Sequence, residues 1–131
     1  MLDEARIEEL RRRVERDPAS LAFAQLAEEF RRAGALQEAV RVCRDGLARH
    51  PGYISARLTL GRALFELGQY DEAQAELEAV LLAAPDNLIA LRSIADIAQR
   101  RSDSVEPDPV LAELESWLSA IRNDRASRAT S

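Results

Sequence analysis

Apolar side chains recur along most of this chain with the spacing of amphipathic helices. The first clear stripe has the i, i+3, i+4, i+7 spacing that falls on one side of a helix. Its members are Phe23, Leu26, Ala27 and Phe30. A second stripe follows after a short break and consists of Ala39, Val40, Cys43 and Leu47. Because each stripe covers only one side of its helix, we expect the two helices to pack against each other.

The same pattern returns 34 residues further along. Leu26 is followed at this spacing by Leu60 and then by Ile94. Other residues that coincide are Gly34 with Gly68, Glu38-Ala39 with Glu72-Ala73, Cys43 with Leu77, Leu47 with Leu81, and Pro51 with Pro85. Arg57 is a misfit, since Phe23 and Leu91 occupy the equivalent positions. A period of this length built from two helices predicts a stack of helix pairs.

Glycine and capping residues mark the expected helix boundaries. Gly34 and Gly68 stand where a left-handed residue would end the first helix of each pair. The expected N-cap residues are Ser20, Asp71, Asp86 or Asn87, and Asp108, which is followed by Pro109 at a first helical position. Each repeat closes with a proline that cannot continue a helix.

The repeat resembles the tetratricopeptide repeat family. In that family a small residue midway along the first helix allows close approach of the second, and Ala27, Gly61 and Ala95 match it. A second small residue near the start of the second helix is matched by Ala39 and Ala73. The closest stretch is Leu67-Gly68-Gln69-Tyr70-Asp71-Glu72-Ala73. The resemblance implies an all-α fold, a right-handed stack of antiparallel helix pairs (an α-solenoid) with about seven helices.

We expect a single domain over residues 1–122. Its predicted parts are an N-terminal helix at 3–17, repeat 1 at 20–53, repeat 2 at 54–87, and a degenerate repeat 3 with a capping helix at 88–122. A polar, flexible tail is predicted for 123–131. The N-terminal helix is expected to stand outside the repeats and to bury Ile7, Leu10 and Val14.

The third repeat loses the pattern after Ala98. A longer polar connection follows, and the last predicted helix then carries its own apolar stripe. The members of this stripe are Leu111, Leu114, Trp117, Leu118 and Ile121. Since repeat stacks need a terminal element to cover the exposed end, this helix is expected to cap the stack.

Composition argues against nucleic acid as a partner and against insertion into a membrane. The net charge is -5. The arginine runs at 11–13, 31–32 and 100–101 are interpreted as solvated helix faces, interrupted or flanked by acids, rather than as a concentrated basic surface. No apolar run approaches the ~20 residues that a membrane span needs. One cysteine allows no internal disulfide and no apolar signal core opens the chain, so we expect a cytoplasmic location. All 18 basic residues are arginine, which suggests a bacterial genome rich in G and C.

Residues that could carry catalysis are few. The chain has no lysine, one histidine and one cysteine. His50 is expected at a helix end, and Cys43 falls on a buried stripe, where a thiol is a small core residue. One histidine with one cysteine does not make a zinc site. The sequence therefore predicts no enzyme, no cofactor and no metal site.

Binding of a protein or peptide is the function that the resemblance implies. In this family the first helices line a concave groove, and we place in it the residues one position around from the core stripe. These are Ala24, Glu28, Arg31, Leu58, Arg62, Phe65, Arg92, Asp96 and Gln99. A groove that mixes apolar residues with arginine suits a peptide segment with a carboxylate and an apolar anchor. We therefore expect an interaction scaffold or a chaperone-type assembly adaptor.

Some family members grip the C-terminal carboxylate of a chaperone with lysine, asparagine and arginine. The matching positions here are Ala24, Glu28, Thr59, Ile89 and Ser93, and none of them fits. Alternatives to the groove stay open. The chain could be a self-associating module, such as a homodimer formed through end helices that include Trp117, or a regulatory subunit of an enzyme complex. Nucleic-acid binding, a third alternative, would show a strong salt dependence.

Overall fold

The computed structural model describes residues 4–104 and 108–129, and within them it contains helices and no strands. The helices are α1 (Glu4–Arg16), α2 (Ala22–Arg32), α3 (Leu36–Arg49), α4 (Ile54–Glu66), α5 (Tyr70–Ala83), α6 (Leu88–Ser104) and α7 (Pro109–Ala129). The all-α class and the seven predicted helices are confirmed for the described part of the chain. The predicted positions at 1–3, 105–107 and 130–131 lie outside the described residues.

Two compact units make up the chain, one running up to Gln99 and the other beginning at Arg100. In the first unit α2 packs against α3 and α4 against α5, which are the two predicted helix pairs. The pairs are joined because α4 also packs against α2 and α3. Helix α1 packs against α2. The single domain over 1–122 and the right-handed sense of the stack stay predictions.

One apolar cluster runs through the first unit, from Ile7 and Leu10 of α1 to Ala90 and Ile97 of α6. The stripes predicted for α2 and α3 are buried in it: Phe23 is 2% exposed, and Ala27 and Cys43 are fully buried. Complete burial of one large apolar side chain contributes about 2 kcal/mol. The 34-residue apolar pattern is therefore the main source of the stability of this unit.

The two predicted glycine turns are confirmed. Gly34 has φ +82° and Gly68 has φ +80°, a left-handed conformation that glycine adopts without strain. Behind each glycine a backbone N–H reaches back to the helix: Ala35 donates to the Phe30 carbonyl and Gln69 to the Leu64 carbonyl, both at 2.9 Å. Ser102 occupies the equivalent position in the third repeat, and α6 continues through it to Ser104.

Two of the expected N-caps are observed. The Asn87 Oδ1 accepts from the Ala90 N–H at 3.0 Å and the Asp108 Oδ1 from the Val110 N–H at 2.9 Å. Ser20 was also predicted as a cap and lies one residue before the N-cap position of α2, Leu21, and its Oγ accepts from the Ala22 N–H at 3.2 Å. Asp71 was predicted as a cap and lies instead in the first turn of α5, after Tyr70. The helix can begin earlier because the chain reverses at Gly68, and an acid in the first turn still interacts favourably with the helix dipole.

One contact between the two helices of a pair differs between repeat 1 and repeat 2. In repeat 1 the Phe23 ring lies over Gly46, so that a β-carbon on Gly46 would stand only 2.0 Å from Phe23 Cδ2. In repeat 2 the equivalent residues are Arg57 and Val80. The Arg57 Nη1 lies 2.8 Å from Glu76 Oε2, and its Nη2 donates to the Pro51 carbonyl at 2.6 Å. The misfit at Arg57 is therefore accommodated by polar partners.

Helix α6 has a different environment on each side. Ala90 and Ile97 are buried, and Ile94 packs against the core. The face that carries Leu91, Ala95 and Ala98 is exposed, with Leu91 at 44%. Since these positions match Phe23, Ala27 and Phe30, which are all buried, the third repeat departs from the first two on this face.

In the second unit α7 presents an exposed apolar stripe. Its members are Val110, Leu111, Leu114, Trp117 and Leu118, between 47% and 63% exposed. The helix continues to Ala129, through residues 123–129, for which the sequence predicts a flexible tail. The helical backbone is consistent with the absence of glycine and proline there and with the presence of helix-forming arginine and alanine. The capping role of this helix stays a prediction.

Candidate functional site

Seven of the nine predicted groove residues line two depressions on α2, α4 and α6. The first depression has a volume of about 460 Å³ and lies over α2 and α4. Glu28, Leu58 and Arg62 line it, together with Ala24 and Thr59. The second depression, of about 690 Å³, lies between α4 and α6. Its predicted members are Arg62, Phe65, Arg92 and Asp96. Arg62 is shared, so it stands where the two depressions meet.

Glu28 of the first depression is bonded to Arg31, a predicted groove residue that lines neither depression. The Arg31 Nη2 lies 2.6 Å from Glu28 Oε1, and its Nε lies 3.0 Å from Glu28 Oε2. The third guanidinium nitrogen, Nη1, is 2.6 Å from Glu66 Oε1 of α4. Because all three nitrogens are engaged and the side chain is only 11% exposed, Arg31 joins α2 to α4.

The effect of partial burial on the pKa of Glu28 is opposed by the charged groups around it. Burial raises the pKa of Glu28, but the hydrogen bonds and charge of Arg31, with further contributions from Arg62 and Thr59, outweigh it and bring the pKa below 4.5. The same pair raises the pKa of Arg31, chiefly through the hydrogen bond with Glu28. Thr59 Oγ1 donates to Glu28 Oε2 at 3.2 Å. Glu28 is therefore ionised and held in place at neutral pH.

Arg62 and Arg92, two cations of the groove, are not bonded in the way that Arg31 is. Within the described residues neither Arg62 nor Arg92 forms a hydrogen bond or an ion pair, and the charge of Arg62 acts on Glu28 only through space. Arg62 is half-buried and Arg92 is exposed, and both line the second depression. A guanidinium group in this state can bind a ligand carboxylate with two parallel hydrogen bonds.

Apolar side chains surround these cations. Phe65 packs against Tyr70, with ring centroids 5.7 Å apart, and also lines the second depression. Leu88, Ile89 and Leu91 at the start of α6 line it as well, and they are 77%, 47% and 44% exposed. Sequence reasoning missed Leu88 and Leu91 as groove residues. The apolar run from Leu88 to Leu91 could have indicated them, because only Ala90 of this run is buried in the core. Gln99 lies outside both linings.

Two of the five positions that were compared with the chaperone carboxylate clamp are bonded to each other. Glu28 and Thr59 share a hydrogen bond, and Ala24 is buried. Ile89 and Ser93 both line the second depression without a positive charge. Glu28 is an acceptor that is already bonded to Arg31 and Thr59, and an ionised carboxylate has no proton to donate to a C-terminal carboxylate.

A third pocket lies between α1 and α3, over α2, and sequence reasoning missed it. Its volume is about 900 Å³, and Phe23, Leu26 and Phe30 contribute to its lining. All three side chains are at most 6% exposed, so they serve mainly as core. The charged lining residues are of both signs: Arg11, Arg41 and Arg49 with Glu15, Glu38 and Asp45. This balance favours no single class of ligand.

The residues considered for catalysis have structural surroundings. Cys43 is fully buried, burial raises its thiol pKa to about 12, and Sγ donates to the Ala56 carbonyl at 3.5 Å. His50 follows the last residue of α3, stacks on Phe23 with centroids 6.0 Å apart, and has Nε2 2.7 Å from the Ala19 carbonyl oxygen. A thiolate nucleophile is disfavoured at Cys43 by this pKa.

Neither a metal cluster nor a membrane-spanning helix is found in the described part of the chain. Across residues 4–104 and 108–129 no three His, Cys, Asp or Glu side chains are grouped so that they could hold a metal ion. The helices of the same residues are too short or too polar to cross a bilayer.

Comparisons with known proteins point to one fold. The family model described as "Tetratricopeptide repeat" matches residues 30–96. The uncharacterized protein y4yS of Sinorhizobium fredii is 39% identical over 69 residues, which is 50% of this chain and 38% of that protein. The chain thus covers well under half the length of this curated relative.

Solved structures agree with the family match. The first TPR domain of Spaghetti (RPAP3), bound to the HSP90 peptide SRMEEVD, has a TM-score of 0.71 and 25% identity, with 73% of this chain and 77% of that chain covered. The second TPR domain of human RPAP3, in complex with an HSP70 peptide, has a TM-score of 0.67 and 29% identity, with 70% and 78% covered. The first TPR domain of human RPAP3, at 24% identity and a TM-score of 0.70, supports the fold, with 76% and 81% covered.

Proposed function

Because the chain belongs to the tetratricopeptide repeat family, we propose that it is a protein-interaction scaffold that binds a peptide segment of a partner protein in the groove of α2, α4 and α6. The observation that carries this proposal is Arg62, a half-buried cation without a hydrogen-bond partner among the described residues, where the two depressions meet. A guanidinium at this place can donate two parallel hydrogen bonds to a bound carboxylate.

The expected ligand carries an acidic side chain next to an apolar anchor. The carboxylate binds Arg62 or Arg92, and the apolar side chain packs against Phe65, Ile89 and Leu91 in the second depression. The segment is internal to its protein rather than a free C-terminus, because Glu28 stands where a terminal carboxylate would be gripped. The ligand therefore differs from the chaperone peptides bound by the RPAP3 domains.

Affinity capture followed by mass spectrometry tests the groove. Wild type is compared with the double variant Arg62→Glu, Leu58→Asp, after circular dichroism has established that the variant folds. Arg12→Glu is the matched control, since this arginine is exposed on α1 and lines neither depression of the groove. We expect the partner to be retained by wild type and by the control and to be lost from the double variant.

A synthetic peptide from the captured protein then tests the ligand chemistry. Replacing its acidic residue by alanine should weaken binding about tenfold or more, because a charge-assisted hydrogen bond to a protein contributes about 1.5–3 kcal/mol. Equal capture by wild type and the double variant would contradict the groove, and attention would move to Trp117 and α7.

Four more specific statements stay predictions. They are that the chain is an assembly adaptor, that it is a regulatory subunit of an enzyme complex, that it forms a homodimer, and that it is located in the cytoplasm. Co-purification of one defined enzyme whose activity changes on binding would favour the regulatory subunit. An affinity for nucleic acid that falls steeply with salt would contradict the predicted absence of such a partner.

A further inference from the structure

Arg62 lies among acids and is nevertheless unpaired. Glu28 of α2 and Asp96 of α6 occupy the positions that correspond to Arg62 in the 34-residue period, and Glu66 follows Arg62 by one turn of α4. Residues four apart on a helix are neighbours, and opposite charges at this spacing form ion pairs. Within the described residues, however, Arg62 forms no hydrogen bond or ion pair. The free state of this cation therefore depends on what holds the neighbouring acids.

Glu28 has no acceptor position left for Arg62. Its Oε1 lies 2.6 Å from Arg31 Nη2 and 3.3 Å from Arg32 Nε. Its Oε2 lies 3.0 Å from Arg31 Nε and 3.2 Å from Thr59 Oγ1. An ionised carboxylate has about four lone-pair sites, so these contacts fill it. Burial, Arg31 and the charge of Arg62 all act on the pKa of Glu28, so Arg62 is close to this carboxylate without bonding to it.

Glu66, the acid one turn after Arg62, is engaged by Arg31 as well. Its Oε1 lies 2.6 Å from Arg31 Nη1, a contact that connects α4 to α2. With its three guanidinium nitrogens Arg31 thus holds both Glu28 and Glu66. The Arg31 side chain is 11% exposed and lines neither depression, so it is not itself a contact for a ligand.

Two further acids line the groove and do not pair with Arg62. Glu29, in the first depression, accepts from Arg6 Nε of α1 at 3.2 Å. Asp96, in the second depression, is exposed on α6 and forms no bond with Arg62. Loss of Arg31 would therefore release two acids near Arg62 and leave these two as they are.

We propose that Arg31 is a positioning residue of the groove: by bonding Glu28 and Glu66, it keeps the guanidinium of Arg62 available to the carboxylate of the ligand. The inference rests on the proposed function, because it takes Arg62 as the partner of that carboxylate. When the two acids are released, Arg62 spends part of its time bonded to one of them. The apparent affinity for the ligand then falls by the fraction of Arg62 that remains free.

Chemical labelling of arginine measures the state of Arg62 without a ligand. Phenylglyoxal reacts with free guanidinium groups, and digestion followed by mass spectrometry gives the rate at each arginine. We expect Arg31→Gln to lower the labelling rate at Arg62 about threefold, because the released acids form ion pairs of the strength found at protein surfaces. Arg92 lines the same depression and is the internal reference, whose rate should stay constant.

The same change in a chain without the two acids separates positioning from support of the fold. In a Glu28→Gln, Glu66→Gln background, Arg31→Gln should leave the labelling rate at Arg62 unchanged, since no carboxylate is released. Loss of structure would change the rate in both backgrounds alike. Arg32→Gln is the matched comparison, because Arg32 also contacts Glu28 but its removal leaves the three Arg31 bonds in place. A smaller decrease is expected for it.

Two further variants keep the test independent of folding. Arg31→Lys replaces Arg31→Gln if the latter does not give the circular dichroism spectrum of wild type. Lysine keeps the charge but has no planar fork with which to hold two acids, so a decrease at Arg62 in the same direction is expected. Arg12→Gln is the control for loss of an ion-paired arginine, since Arg12 lies on α1 with Nε 3.7 Å from Glu8 Oε1. It should leave the rate at Arg62 unchanged.

The affinity for a ligand is then measured with the same variants. The probe is the synthetic peptide from the captured protein. We expect Arg31→Gln to raise its dissociation constant about threefold, the same factor by which labelling at Arg62 falls, and to do so only where Glu28 and Glu66 are present. A structural role alone would weaken the peptide equally in both backgrounds.

Three results would overturn the proposal. One is an unchanged labelling rate at Arg62 in a folded Arg31→Gln chain, and another is an equal decrease in both backgrounds. The third is a faster rate when Glu28 and Glu66 alone are replaced, which would mean that Arg62 is already paired in wild type.

Failure of the proposed function gives a different result. The labelling rates then change as expected, but the partner is captured equally by wild type and by the Arg62→Glu, Leu58→Asp variant. That result would contradict the groove, and with it the ligand in this proposal, while the role of Arg31 toward Arg62 would stand.

Discussion

Glu28 is a half-buried acid whose charge is matched by its surroundings. Arg31 holds it with two hydrogen bonds, and Thr59 adds a third. Arg32 stands 3.3 Å away as a further, more exposed partner. An acid in this state stabilises the fold only while it is ionised, so the stability of the first unit depends on pH.

The direction of that dependence follows from the lowered pKa of Glu28. Its folded value lies below the ordinary 4.5, so its contribution is complete above that pH and is lost as the pH falls through the lower folded value. We expect Glu28→Gln to flatten the fall in the free energy of unfolding below pH 4.5, measured by urea titration at several pH values. Arg31→Gln should move the fall to higher pH, since it removes the main group that lowers the pKa. Equal pH profiles for all three proteins would contradict this assignment.

At the scale of the helix pair, α2 and α3 approach closely because Phe23 occupies the space above Gly46. Phe23 also has Tyr53 at its edge, with ring centroids 5.7 Å apart, so the ring is enclosed on several sides. Because the ring is confined, moving it to make room for an added atom costs free energy of folding.

Gly46→Ala tests this packing. The added β-carbon would overlap the Phe23 ring, so we expect a loss of about 1–3 kcal/mol in the free energy of unfolding, although alanine itself favours the helix. Gly52→Ala is the control, since a β-carbon there has no neighbour within 4 Å. Phe23→Leu combined with Gly46→Ala should cost less than the sum of the two changes. Full additivity would contradict a direct contact.

Much of this architecture could be predicted from the sequence because helix pairs follow local rules. The apolar stripes, the glycine turns and the caps at Asn87 and Asp108 each depend on a few neighbouring residues. Asp71 is an exception because both Gly68 and Asp71 are signals for the start of α5. The turn at Gly68 determines where the helix begins, so Asp71 lies inside its first turn. The continuation of α6 past Ser102 could also have been predicted, because serine stands where the 34-residue period would place the turn glycine.

The state of individual groove residues could not be predicted in the same way. Arg31 and Arg62 belong to the same predicted surface, yet the first is bonded to two acids and the second is not. This difference depends on Glu66 of the following repeat, a contact across 35 residues that no local spacing reveals.

At the scale of the whole first unit, the helices differ in how many neighbours support them. Helix α4 packs against α2, α3 and α5, whereas α1 packs against α2. In a stack of this kind stability is the sum of terms within each repeat and between neighbours. The middle of the unit is therefore expected to open less often than its beginning.

Hydrogen exchange followed by mass spectrometry checks this gradient. We expect the amides of α2, α3 and α4 to exchange slowest and those of α1 to exchange faster, because local opening at an end breaks fewer contacts. Gly46→Ala should speed exchange in α2 and α3 more than in α5. Uniform protection across α1 to α5 would indicate a single cooperative unit instead.

The pairing of Phe23 with Gly46 in repeat 1, where repeat 2 has Arg57 with Val80, limits how this chain can be rearranged. A recombinant that joined α2 to a copy of α5 would set the Phe23 ring against valine in place of glycine, and the hybrid pair would not close. A recombinant cut between whole repeats keeps Phe23 with Gly46 and Arg57 with Val80. The module that gene duplication can add to or delete from such a protein is therefore the helix pair, and point changes on its two helices must arise together.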